Sequence, residues 1–118
     1  MSNTVDQFAH TVGANVTYAQ NNLMEAFALR EGQEADAAAL ADRLGIKVVR
    51  EVVDKDGKTV VDPKTGKAKT EEVAPDLKGL QLITQQRFEH ATQIFSTFSN
   101  IMEKLDQLKQ RLIQKLAQ

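Results

Sequence analysis

His10 and His90 are the two histidines of this chain of 118 residues, and the residue types best suited to proton transfer or metal binding near neutral pH end with them. A metal face on a helix needs a second histidine or a carboxylate three or four positions on, and neither histidine has one there. Asp54, Asp56 and Asp62 cluster as in a calcium loop, but their spacing is wrong and no glutamate closes the set, so they are expected to form turns. Gly45, Gly57 and Gly66 stand singly as turn punctuation, so the glycine-rich loop that cradles a phosphate is missing. Ser96, Thr97 and Ser99 have no histidine base beside them. Placed between Phe95 and Phe98, such small hydroxyl residues instead let a neighbouring helix approach. Cysteine is absent, which removes disulfides, thiolate metal sites and thiol nucleophiles. The residues therefore point to a protein that is not an enzyme, with no catalytic, cofactor-binding or metal-ligating set.

The strongest pattern in the sequence is helical. From Asp76 to Gln118 the apolar residues Ala91, Ile94, Phe98, Ile101, Leu105, Leu108 and Leu112 recur at alternating steps of three and four, the spacing that keeps one seam facing a partner. Such a helix is about 60 Å long, whereas a compact domain of this length has a radius of gyration of only about 13–14 Å. An elongated molecule is expected. Val5, Phe8, Val12, Val16, Ala19, Leu23, Ala26 and Phe27 form a second stripe, opened by a Thr4–Gln7 capping box and weakened by Gly13 and by Asn15, Asn21 and Asn22. Gly32 interrupts or ends it. An alanine-rich run from Glu34 to Leu44 comes next, closed by Gly45. Beyond it lie β-branched Ile46, Val48, Val49, Val52 and Val53, a turn at 54–57, Thr59 to Val61, a second turn at 62–67, and a third extended stretch from Lys67 to Val73. Pro75 and Asp76 then start the last helix. The expected fold is mainly α: a single domain, 1–118, built as an elongated antiparallel helical hairpin or coiled coil with a small β-hairpin or β-meander insertion. Its parts are a first helix over 1–31, a short helix over 34–45, the insertion over 46–75 and a long helix over 76–118.

A net charge of −1 creates no long-range field for nucleic acid or an anionic membrane, but the charge is unevenly placed. Residues 1–45 carry six acidic and two basic side chains, and 76–118 carry four acidic and six basic. No stretch reaches the ~18 apolar residues of a membrane span, and the start MSNTVDQFAH has neither the basic nor the apolar region of a cleaved signal. Location is read as exported without a cleaved signal, or cell-surface, with cytoplasm as the alternative. Ala38-Ala39-Leu40-Ala41-Asp42-Arg43-Leu44-Gly45-Ile46 looks like the first helix and turn of a helix-turn-helix unit. The segment after that turn, Lys47 to Val53, is β-branched with two basic residues, so no nucleic-acid partner is expected.

A ridge this long needs more cover than one copy supplies. The expected assembly interface is the seam Ile94, Phe98, Ile101, Leu105, Leu108 and Leu112, with Phe95, Met102, Ile113 and Leu116 on one flank and Val12, Val16 and Phe27 on the other. Its tail, Gln93-Ile94-Phe95-Ser96-Thr97-Phe98-Ser99-Asn100-Ile101-Met102 followed by Leu112-Ile113-Gln114-Lys115-Leu116, resembles the C-terminal helix of needle and needle-extension filament proteins of type III secretion systems. The length, the β insertion and the absence of a proline-flanked hairpin turn make the extension filament the nearer comparison. The resemblance implies a structural subunit that polymerises with itself into a helical filament associated with protein secretion, and a secretion chaperone as a partner before assembly. Two alternatives are a helical chaperone or adaptor forming a closed oligomer, and a DNA-binding regulator working through residues 34–53.

Overall fold

The computed structural model describes residues 4–117. The chain is mainly α, with α1 (Thr4–Ala28), α2 (Glu34–Arg43), β1 (Val48–Glu51), β2 (Thr70–Val73) and the long α3 (Leu77–Ala117) in that order among the described residues. Residues 1–3 and 118, which the periodicity assigns to the first and last helices, lie outside the described part. The fold resolves into two compact units: one of the residues up to Met24 together with those from Thr84 onward, the other Glu25–Ile83.

The first unit is an antiparallel helix pair. Phe8 meets Phe98 edge to face, with ring centroids 5.2 Å apart and planes at 61°. Further along α1, Val12 and Asn15 share a groove with Arg87, His90, Ala91 and Ile94, so the α3 numbers fall as the α1 numbers rise. Val12, Ala19 and Thr84 are buried. No buried side-chain polar atom among the described residues lacks a hydrogen-bond partner. α1 runs through Gly13 without a break. A glycine costs a helix about 1 kcal/mol relative to alanine, and burial of the adjacent Val12 offsets that cost.

The second unit packs the end of α1, the start of α3 and the whole of α2 around Ala26, Ala37, Leu40, Ala41, Ile46 and Leu80. Half of these are alanines, so the helical backbones approach closely. Gly45 ends α2 as the sequence predicts. Its φ is +67°, its N–H donates to the Asp42 carbonyl at 3.1 Å, and the Ile46 N–H donates to the Ala41 carbonyl at 2.8 Å, which is a Schellman motif. That turn drops Ile46 into the core, so the β-branched run begins its strand two residues later, at Val48. At the start of α3, Asp76 is the N-cap: its Oδ1 accepts from the Gly79 N–H at 2.8 Å. Buried Pro75 precedes it, outside the helix. The Gln81 Nε2 donates to the Ala26 carbonyl at 3.1 Å and so satisfies one of the carbonyls left over at the end of α1.

The β insertion differs from a meander in its pairing. A meander would set the middle segment between the outer two. Here the outer segments pair directly as β1 and β2, antiparallel, with Val48 opposite Val73 and Glu51 opposite Thr70. Arg50 and Glu71, opposite each other in the register, form an ion pair at 2.7 Å. The middle segment touches both through the single bridges Val53–Thr59 and Val61–Ala68. Where the three meet, the N–H groups of Val52, Lys69 and Val60 donate in turn to the carbonyls of Lys69, Val60 and Val52, each at 2.8 Å. This cyclic junction splits the stem into two small loops. Each loop is held by its aspartate: Asp54 Oδ1 accepts from the N–H groups of Asp56 and Lys58, and Asp62 Oδ1 from that of Lys64, all at 2.9 Å.

Two substitutions probe these contacts by denaturant unfolding with circular dichroism as the readout. Leu80→Ala, which empties a fully buried site, should cost about 2–5 kcal/mol. Asp76→Ala, which removes the N-cap, should cost about 1 kcal/mol.

Candidate assembly interface

The apolar residues of α3 from Ile94 to Leu116 fall within an arc of about 140° on the helix surface. α1 covers part of this arc along the first unit. Phe98 lies half-buried beneath Phe8, and Met102 is half-buried one turn further on. Because Phe8 stands opposite Phe98, the described start of α1 at Thr4 falls close to Met102, about 6 Å further along. From Glu103 to Ala117 every residue of α3 is exposed. Leu105, Leu108, Leu112 and Ile113 are each about half accessible to solvent, and Leu116 is 87 % accessible.

This stretch is helical for local reasons. It contains no glycine or proline, it is rich in leucine, lysine and glutamine, and it propagates a helix nucleated upstream. Gln110 donates from Nε2 to Asp106 Oδ2 at 3.4 Å across one turn. An exposed helix with one apolar face can bury that face against another helix, a groove or an interface. It holds no convergent titratable groups.

The residues expected at the interface divide into three sets. Ile94, Phe95, Ile101, Leu105, Leu108, Leu112, Ile113 and Leu116 lie exposed along α3, with half-buried Phe98 and Met102 between them. Val12 is a correction: at 4 % accessibility it faces into the helix pair and offers no outer surface, and Val16 is half-buried. Phe27 is exposed, but in the second unit. Phe8, not expected at the interface, is exposed and borders an apolar groove of about 410 Å³ with Ile94, Thr97, Phe98 and Ile101. Tyr18 and Met24 are exposed too. They lie off the stripe of α1, so a reading by periodicity passes over them.

The remaining chemical candidates are dispersed. His90 and Thr97 line the groove beside Phe8, while His10, Ser96 and Ser99 are exposed. The position a recognition helix would occupy after α2 is strand β1, because the β-branched run Val48–Val49 favours extended backbone. No helix among the described residues is long and apolar enough to cross a membrane. No family model matches the chain, and no curated protein or solved structure is similar to it.

Aspartate substitutions separate ridge from core. Leu105→Asp and Leu112→Asp lie on exposed surface and should shift unfolding free energy by no more than about 0.5 kcal/mol. Val12→Asp buries an unpaired charge and should abolish the cooperative transition of the first unit, seen by thermal melts.

Proposed function

We propose that this protein is a structural, self-assembling subunit of a helical filament associated with protein secretion, exported without a cleaved signal, and not an enzyme. The observation that carries the reading is the ridge of α3, whose last fifteen described residues have no covering helix among the described residues. Each half-exposed leucine there stands to contribute roughly 0.8–1.5 kcal/mol when a neighbour buries it. The cost of leaving such a face in water favours association. A contact between two different surfaces does not close on itself and generates a fibre. The link to secretion rests on the resemblance of Gln93–Met102 and Leu112–Leu116 to type III secretion filament subunits. The same exposure calls for a chaperone that covers the ridge before assembly.

Light scattering and negative-stain images of the purified chain across a concentration series test the proposal. Open fibres that disappear with Leu105→Asp are the expected result. Discrete dimers or tetramers would favour the closed chaperone or adaptor, and a monomer at every concentration would refute self-assembly.

A further inference from the structure

The tail of α3 carries a second pattern beside its leucines. Between Glu103 and Ala117 the four basic residues Lys104, Lys109, Arg111 and Lys115 stand against two acidic ones, Glu103 and Asp106, a local charge of +2 on a chain whose net charge is −1. All six are exposed, and none of the four cations forms an ion pair among the described residues. Lys104, Arg111 and Lys115 follow one another at steps of seven and four, so they form one row within about 40° of arc along the edge of the ridge beside Leu108. The opposite edge holds Asp106, whose Oδ2 accepts from Gln110. Gln107 and Gln114 lie on the far side of the helix, which is polar and uncharged there.

The apolar side of the tail continues into a further exposed surface. Ile101 lies one turn before Leu105 and two before Leu108, and it also borders the groove that Phe8 and Ile94 line. Phe8, Ile101, Leu108 and Leu112 are each about half accessible to solvent.

Lys109 separates the kinds of cover this surface can take. It falls inside the apolar arc, about 40° from Leu105 and on the side away from the basic row. A protein groove closing over the ridge has to bury that ammonium or supply a carboxylate for it, and an unpaired buried charge is costly. At a bilayer surface its stem lies along the leucines while the ammonium reaches the headgroups. A helix lying in the plane of an interface needs only depth for its apolar side, not a partner helix of matching length. No described helix is long and apolar enough to cross a bilayer, so the tail has to lie along one. Anionic headgroups suit the surplus of cations: each gains within a Debye length of a negative surface, a contact effect that the net charge of the whole chain does not oppose once the ridge has met the surface.

We propose that the tail of α3, residues 101–117, docks on an anionic lipid bilayer as an in-plane amphipathic helix, its leucines at the acyl boundary and Lys104, Arg111 and Lys115 at the phosphate and carboxylate groups of the lipids. The inference goes beyond filament assembly and does not depend on it. Lipid and a neighbouring copy compete for one surface.

Flotation of the full chain with phosphatidylcholine vesicles, with and without phosphatidylserine, tests this at concentrations where light scattering detects no fibres. The wild type should float with the phosphatidylserine vesicles and bind the neutral ones roughly tenfold or more weakly. K104E/R111E/K115E should lose that preference, and Leu108→Asp should weaken binding to both, with circular dichroism confirming helix content. K55E/K58E/K64E reverses as many charges in the β insertion and should leave flotation unchanged. The chain has no tryptophan, so Leu112→Trp and Gln114→Trp report orientation: with vesicles the emission of the first should shift to the blue and that of the second should not. A wild type that stays off phosphatidylserine vesicles, an insertion variant that weakens binding as much as the tail variant does, or equal blue shifts at the two positions would overturn lipid docking. Fibres from a chain that stays off vesicles would assign the ridge to a second copy and leave the assembly reading standing, whereas flotation of a chain that forms no fibres at any concentration would support lipid docking and remove that reading.

Discussion

The burial of an apolar stripe on one helix requires a partner running beside it for the same length, and the described helix pair does not meet that requirement. α1 covers α3 as far as Met102, where half-buried residues end, while the leucine ridge continues for about four further turns. The final stretch keeps its helical form through local propensity and continuity with the helix before it. Its hydrophobic face is left in water. This imbalance distinguishes α3 from an ordinary amphipathic helix of a closed domain, in which exposed leucines are scattered singly.

The second unit fixes where α1 stops and where α3 starts. Small side chains at Ala26, Ala37 and Ala41 allow close approach around Leu80, and the Schellman turn at Gly45 delivers Ile46 into the same core. Asp76 caps α3 and Gln81 reaches back to the last turn of α1. Backbone groups left over at these helix ends thus find side-chain partners. The β insertion is joined to this unit but is organised by its own hydrogen bonds, with a cyclic junction at Val52, Val60 and Lys69 and an aspartate in each loop.

The charged residues along the exposed ridge are mostly basic, with Lys104, Lys109, Arg111 and Lys115 against Glu103 and Asp106. The acidic excess of residues 25–43 supplies the opposite sign on the same chain.

Much of this architecture is written in local patterns. The three-and-four spacing marks both long helices, Gly45 marks the end of α2, Asp54 and Asp62 mark their turns, and the heptad register marks the ridge from Ile94 to Leu116. These features depend on side chains within one or two turns of each other, so the order of residues suffices to reveal them. Other features depend on distant partners. Val12 and Leu105 occupy equivalent places in their stripes, yet one is buried and the other half exposed, because burial is set by where the opposing helix runs. The direct pairing of β1 with β2 is likewise invisible to alternation, which records which residues are extended but not which extended segments meet. Periodicity identifies a face that can be covered; the length and placement of the neighbouring element decide how much of it is.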